Sequence, residues 1–169
     1  MQKGFTKNEI LITIASFIVA VGLASWGIWY EYARIDDTEK YSEALQWHSA
    51  LAWYFHVHAV YPSVPQDGTS FSGLCLVDKG LVSVTDSACS TSSRIYYVSV
   101  SSVVNYYPRN ADNTFCKDPQ GCSRYYLTVP QKTRAISGQP IDIFRQAPRG
   151  LHVFGPDGLL INQKQIPGI

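Results

Sequence analysis

The feature that most constrains this chain is a run of 21 residues, positions 10–30, without a charged side chain. As an α-helix, at about 1.5 Å per residue, the run measures about 31 Å, enough to cross the hydrocarbon core of a bilayer. Lys3 and Lys7 precede the run, and acidic residues dominate the segment after it. Because basic flanks stay in the cytoplasm, we expect a single membrane crossing with the rest of the chain on the extracytoplasmic side.

The far end of the apolar run is rich in aromatic residues. Tryptophan and tyrosine favour the interface between lipid and water, so this cluster indicates where the helix leaves the membrane. The cluster consists of Trp26, Trp29, Tyr30 and Tyr32.

The helical pattern continues beyond the apolar run. No proline precedes Pro62, and no glycine lies between Gly27 and Gly68. We predict one helix from near Thr6 to about His56, roughly 75 Å long, with a first half that is apolar all round and a second half with one apolar stripe. The predicted stripe consists of Tyr41, Ala44, Leu45, His48, Leu51, Ala52 and Phe55. We predict that the Tyr61-Pro62 step breaks the helix.

The remainder of the chain, residues 61–169, has the sequence of a small β-rich head. Short β-type runs occur at residues 81–85, 95–107, 125–129, 151–154 and 159–162. The turn sequence Gly155-Pro156-Asp157-Gly158 separates the last two runs and predicts a hairpin. We therefore expect an α+β fold in which the long N-terminal helix packs against an antiparallel sheet of about four strands.

All four cysteines lie in the head, and an even count in a small, loop-rich region indicates disulfides and an oxidising compartment. Of the three possible pairings we favour Cys75–Cys89 with Cys116–Cys122, because each pair brackets a polar, turn-rich stretch. Free buried thiols are the alternative. A zinc site is less favoured, because the chain has no CxxC pair and no histidine close to these cysteines in sequence.

Glu9 is an awkward residue at the start of the apolar run. An ionisable group there costs about 1 to 3 kcal/mol, depending on its depth in the membrane, unless a partner neutralises it. Such a residue is a functional candidate, although an interfacial carboxylate that reaches the lipid headgroups is the plainer interpretation.

The residues around Glu9 favour the functional interpretation. Residues 1–9, Met-Gln-Lys-Gly-Phe-Thr-Lys-Asn-Glu, followed by the apolar run, resemble the prepilin signature of type IV pilins and type II secretion pseudopilins. In that family a membrane-embedded aspartic peptidase cuts after the glycine and usually methylates the new N-terminus. The resemblance implies cleavage between Gly4 and Phe5, and it makes Glu9 the carboxylate that meets the N-terminal amine of a neighbouring subunit.

The resemblance also divides the chain into parts. It implies a leader at residues 1–4, a membrane and assembly helix at 5–30, an amphipathic continuation at 31–60, and the head at 61–169. A second match lies at residues 50–63, where an alanine- and leucine-rich segment with aromatic residues precedes Tyr61-Pro62. The chain departs from the family in one respect. Many pilins carry a proline in the membrane helix, where the helix loosens during assembly, but this chain has none there, and Gly22 or Gly27 would be a softer hinge. This departure counts against a major fibre subunit.

The resemblance implies a structural subunit, stored in the cytoplasmic membrane and assembled into an extracellular or periplasmic filament. Its expected partners are copies of itself or related pilins, the prepilin peptidase and an assembly platform. The alternative is a membrane-anchored extracytoplasmic binding module that never polymerises. An ordinary secretory signal cut near Ala24 is a further alternative, but the apolar run is long for one.

Other classes of function have little support in the sequence. A formal charge of +1 and the lack of a basic run exclude nucleic acid as the expected partner. We expect no enzyme, because no catalytic serine setting or phosphate loop is present, and no cofactor. His56 and His58 lack a third metal ligand nearby in sequence. Asp112, Asn113 and Asp118 form an oxygen-rich loop such as binds calcium in some pseudopilins, although these residues are also ordinary turn formers.

Overall fold

A computed structural model of the protein describes residues 6–131, 150–156 and 158–160. Its first element is a single helix, α1 (Lys7–His58), of 52 residues, about 78 Å long by rise per residue. The predicted single long helix is thereby confirmed. It ends at Ala59, whose positive φ of 59° gives a left-handed cap with its N–H bonded to the Phe55 carbonyl at 2.7 Å. The backbone therefore leaves the helix before the Tyr61-Pro62 step, which was predicted to break it.

The second half of α1 packs against the head along one stripe. The buried residues recur every three or four positions, which is the spacing of one helix face. They are Ala33, Asp37, Tyr41, Ala44, Trp47, Ala50, Leu51 and Tyr54. The predicted stripe was partly wrong: Ala52 and Phe55 are exposed, because the face that carries the large rings of Trp47 and Tyr54 is the one that turns inward.

The head contains a short helix and strands arranged in two antiparallel sheets. In chain order the elements are β1 (Thr69–Ser70), β2 (Leu74–Val77), β3 (Gly80–Ser83), α2 (Ser87–Thr91), β4 (Ile95–Ser99), β5 (Asn105–Arg109), β6 (Arg124–Gln131), β7 (Gly150–Gly155) and β8 (Gly158–Leu160). One sheet has the order β1-β5-β6-β7-β8 and the other has the order β3-β2-β4. The fold is α+β as expected, but the prediction of one sheet of about four strands is wrong.

The predicted strand at residues 95–107 is two strands that belong to different sheets. The break follows Ser99, whose Oγ donates to Glu43 and to the Ser101 carbonyl. Ser102 Oγ accepts a hydrogen bond from the Val104 N–H at 3.1 Å. Because these serine side chains offer the backbone partners other than a ladder, the strand ends and the chain crosses to the second sheet.

The hairpin predicted at the last two runs is confirmed for its described residues. β7 and β8 pair antiparallel, with Val153 opposite Leu160 and Gly155 opposite Gly158. Asp157 and the part of the predicted last strand beyond Leu160 lie outside the described residues.

The main core lies between α1 and the two sheets and is largely aromatic. Trp47 stacks on Phe71 with ring centroids 3.7 Å apart, and Phe71 stacks on Tyr106 at 5.2 Å. All three side chains are fully buried. Burial of each large side chain contributes about 1.5–3 kcal/mol, so this stack is a principal attachment of the helix to the head.

A second, smaller core lies on the other face of the three-stranded sheet. Leu76 faces the main core, whereas its neighbours Cys75 and Val77 face the opposite side and pack with Cys89 of α2. This alternation is the pleat of a strand that is covered on both faces.

Candidate functional site

Glu9, the residue singled out by the sequence, lies in the first turn of α1 and is bonded to Thr6. Its Oε2 accepts hydrogen bonds from the Thr6 backbone N–H at 2.7 Å and from Thr6 Oγ1 at 3.0 Å. In return, the Glu9 N–H donates to Thr6 Oγ1 at 3.4 Å. The two residues form a capping box, which satisfies backbone donors that have no partner inside the helix.

The capping box fixes where the Glu9 carboxylate can act. It holds the carboxylate at the positive end of the helix dipole, beside the backbone that leads to Phe5. Thr6 and Glu9 are both exposed, so a positively charged group can still approach the carboxylate oxygens of Glu9. The predicted processing residues Gly4 and Phe5 lie outside the described residues. The Thr-x-x-Glu spacing ahead of an apolar run is the signal from which the capping role of Thr6 can be found.

The first half of α1 has its apolar side chains exposed. Every residue from 6 to 29 is exposed, including Phe17 at 71% and Leu23 at 70%. By length and composition the helix is suited to crossing a membrane. The surface beside Gly22 and Gly27 is open as well, so another helix can approach closely there.

The aromatic cluster lies at the C-terminal end of this exposed half. Trp26 and Trp29 lie with ring centroids 6.3 Å apart, and Tyr32 is 71% exposed. The first charged contact follows at once, where Arg34 pairs with Glu31 at 3.0 Å. This order of apolar, aromatic and charged residues matches the order of layers from the bilayer core to water.

The four cysteines form two disulfides, Cys75–Cys89 and Cys116–Cys122, the pairing that the sequence favoured. The first joins β2 to α2, and the second closes a loop ahead of β6. The cysteines are buried, so both bonds are structural.

The Cys116–Cys122 loop holds the chain where it leaves α1, a role that the sequence did not reveal. Tyr61 and Cys122 exchange two backbone hydrogen bonds of 2.8 Å each. Gly121, with a φ of +111°, lies so close that a Cβ built on it would be 2.4 Å from Val60. We call this arrangement the exit clamp: Val60 and Tyr61 against Gly121 and Cys122.

The candidate metal ligands of the sequence are occupied by local hydrogen bonds. Asp112 Oδ1 accepts from the Thr114 N–H at 3.0 Å and from its hydroxyl at 2.7 Å, and these bonds lower the pKa of Asp112. Asp118 accepts from the Gln120 N–H at 2.8 Å. Both are turn-forming contacts. Over residues 6–131, 150–156 and 158–160, no three histidine, cysteine, aspartate or glutamate side chains are grouped to hold a metal ion.

The two histidines at the end of α1 point to different partners. The His56 ring lies 6.1 Å from the Trp53 ring. His58 Nε2 lies 3.7 Å from Asp78 Oδ1, which also accepts a hydrogen bond from the Tyr96 hydroxyl at 3.0 Å. His58 therefore ties the helix end to the turn between β2 and β3, whereas His56 contacts its own helix, and the two rings do not form a chelate.

Comparison of the chain with protein-family models, curated proteins and solved structures gave no match in any of the three.

Proposed function

We propose that the protein is a structural subunit of a type IV pilus-like or type II secretion pseudopilus filament, assembled through the first half of α1. The observation that carries this proposal is the division of one helix into two environments. Its first half is exposed and, over residues 10–30, uncharged, while its second half is docked on a disulfide-bonded head. The resemblance of residues 1–9 to a prepilin leader gives that division its specific meaning.

The exposed half needs a cover that the head does not supply. Lipid provides it while the subunit is stored in the membrane. When the subunit leaves the membrane, the helices of other subunits must bury the same side chains, since apolar surface in water favours association. In this proposal the same apolar surface of α1 contacts lipid while the subunit is stored and contacts other subunits once it has polymerised.

Glu9 sets the register of that assembly in this proposal. Removal of residues 1–4 creates an amine at Phe5. In a filament, the Phe5 amine of one subunit neutralises the Glu9 carboxylate of another. A buried ion pair adds little net stability, but the loss of one partner costs several kcal/mol. The pair therefore specifies which arrangement of helices is permitted.

The first test is the mass of the mature protein. We expect a chain that begins at Phe5 and carries one added methyl group. A chain that still begins at Met1 would favour the non-polymerising anchored module, and a product cut near Ala24 would favour secretion.

The second test separates assembly from membrane insertion. Glu9→Gln keeps the size of the side chain and one acceptor oxygen, but it replaces the other oxygen with an NH2 donor and removes the charge. We expect the variant to insert into the membrane normally and to be lost from the filament fraction, whereas Asn8→Ala, one residue away, assembles as the wild type does. Normal incorporation of Glu9→Gln would rule out the register mechanism.

A further inference from the structure

The outer surface of the docked half of α1 carries an exposed tryptophan beside a cleft. Trp53 is 66% exposed, and Val57 and Ile95 are each 46% exposed. With Arg94 and Tyr96 they line a cavity of about 470 Å³ between α1 and β4. We call this set of five residues the Trp53 cleft.

The charge of the Trp53 cleft comes from Arg94. Arg94 is exposed and lies near Tyr96 and Asp78. Asp78 also accepts from Ser93 at 3.0 Å. A guanidinium has five N–H donors in a fixed fork, so Arg94 keeps donors for a carboxylate that enters the cleft.

A second surface on the same helix, exposed at Glu31, Ile35 and Glu39 and half-buried at Arg34 and Glu43, has the opposite charge. It consists of Glu31, Arg34, Ile35, Glu39 and Glu43, which we call the acidic stripe. Three carboxylates against one guanidinium give it a formal charge of −2. Arg34 pairs with Glu31, and Glu43 accepts from Ser99. Glu39 is exposed, and among the residues that the structure describes its carboxylate has neither an ion pair nor a hydrogen bond.

The acidic stripe and the Trp53 cleft lie on the same side of α1. Ile35, which is 54% exposed, precedes Trp53 by 18 positions. At 3.6 residues per turn that separation is about five whole turns, and at 1.5 Å per residue it is about 27 Å along the axis. Each surface combines an exposed apolar side chain with a net charge opposite in sign to that of the other.

We propose that the Trp53 cleft of one copy binds the acidic stripe of a second copy, with Ile35 against Trp53 and Glu39 facing Arg94. The proposal rests on the filament function above and names a contact between its subunits. Copies that meet in this way are staggered by about 27 Å along the helix.

The two surfaces favour a second copy over an unrelated partner because one chain carries both of them. Each copy offers a cleft and a stripe, so a bound pair still has one of each free. Such a heterologous contact extends into an open assembly unless its rotation closes a ring. The complementary charges also determine which surfaces meet, since like charges brought together oppose binding.

A charge swap tests the contact. Arg94→Glu and Glu39→Arg should each reduce the protein in the sheared filament fraction by about tenfold, because each places like charges opposite one another. The double variant should restore assembly to within about threefold of the wild type, because the pair is rebuilt in reverse. Lys79→Glu is the matched control: it makes the same charge change at an exposed lysine outside the cleft and should leave assembly unchanged.

Each outcome decides between the contact and the filament itself. If the single variants assemble normally, or the double variant does not recover, the proposed contact is wrong. If Glu9→Gln still abolishes assembly in the same experiment, the filament function remains supported even though the contact between the Trp53 cleft and the acidic stripe is wrong. If the wild type itself is absent from filaments, both proposals fail. Thermal unfolding of Glu39→Arg and Lys79→Glu should match the wild type, since both residues are exposed. Arg94→Glu loses its attraction to Asp78 and should unfold at a slightly lower temperature, but the double variant shares that loss, so its recovery of assembly still tests the contact.

A photo-crosslinking residue identifies the occupant directly. With p-benzoylphenylalanine at position 53, we expect a crosslink to residues 31–46 of a second copy, located by mass spectrometry. A crosslink to lipid or to a different protein would overturn the proposal.

Discussion

The two halves of α1 belong to one unbroken helix but depend on different surroundings. In the first half, Leu11 and Phe17 are 69% and 71% exposed, whereas Trp47 and Leu51 in the second half are fully buried. Both halves are equally helical. The comparison shows that the backbone conformation is continuous while the source of stability changes along it: the head covers the second half and leaves the first uncovered.

The boundary between the exposed and the docked half of α1 carries two ion pairs within the helix. Arg34 pairs with Glu31 at 3.0 Å and Lys40 pairs with Asp36 at 2.5 Å, at helical spacings of three and four residues. Such pairs stabilise a helix by about 0.2–0.5 kcal/mol each. They help to keep the chain helical between the apolar span and the head.

Truncation of one large ring in each half gives the largest expected contrast. Trp47→Ala should lower the free energy of unfolding of the head by about 3–5 kcal/mol, because it leaves a cavity beside Phe71. Phe17→Ala should leave that energy unchanged, because Phe17 has no cover from the head. Urea unfolding of the full chain in detergent micelles measures both. Equal losses would show that the two halves form one cooperative unit.

The exit clamp allows a test at the end of the docked half. Gly121→Ala should destabilise the head by about 1–3 kcal/mol, because it puts a side chain at positive φ and against Val60. Gly73→Ala is the matched control, with a φ of +70° but open space around its Cβ position. Denaturant titration should show the smaller loss for Gly73→Ala. Equal losses would mean that the contact with Val60 adds nothing.

The smallest expected effect is a pH dependence confined to the docked half. Burial lowers the pKa of His48, which lies 2.6 Å from the Tyr125 hydroxyl. Between the folded and unfolded pKa values, the unfolded chain binds more protons at this residue, so stability falls as the pH drops through about 6.5. His48→Gln should reduce this slope, measured by unfolding at pH 7.5 and 5.5. His56→Gln, at an exposed position, should retain it, and an unchanged slope in His48→Gln would refute the effect.

Features set by local sequence could be predicted, and features set by distant contacts could not. The length of α1 follows from uninterrupted helical spacing, and the last hairpin follows from Gly155-Pro156 with Gly158. Trp47 and Tyr54 were not predicted to lie on the buried face. Apolar periodicity identifies a helix, but it does not decide which of two neighbouring apolar faces is buried until the covering sheet is known.

The candidate site divides in the same way. Glu9 is conspicuous because it is an acid at the edge of an apolar run, and the capping box is encoded within four residues. The exit clamp joins Val60 and Gly121, which are far apart in sequence. The requirement for glycine at position 121 is visible only once Val60 is seen to lie against it. The strand at residues 95–107 divides after Ser99, whose hydroxyl bonds both to the nearby Ser101 carbonyl and to Glu43 of α1; only the second of these is a tertiary contact.

The continuity of α1 gives the molecule the mechanics of a lever. A helix of about 78 Å that tilts by 10° moves its far end sideways by about 14 Å. Because Gly22 and Gly27 lie within the unbroken helix, a tilt of the exposed first half displaces the head that is docked on the second half. A force applied at either end is therefore felt at the other.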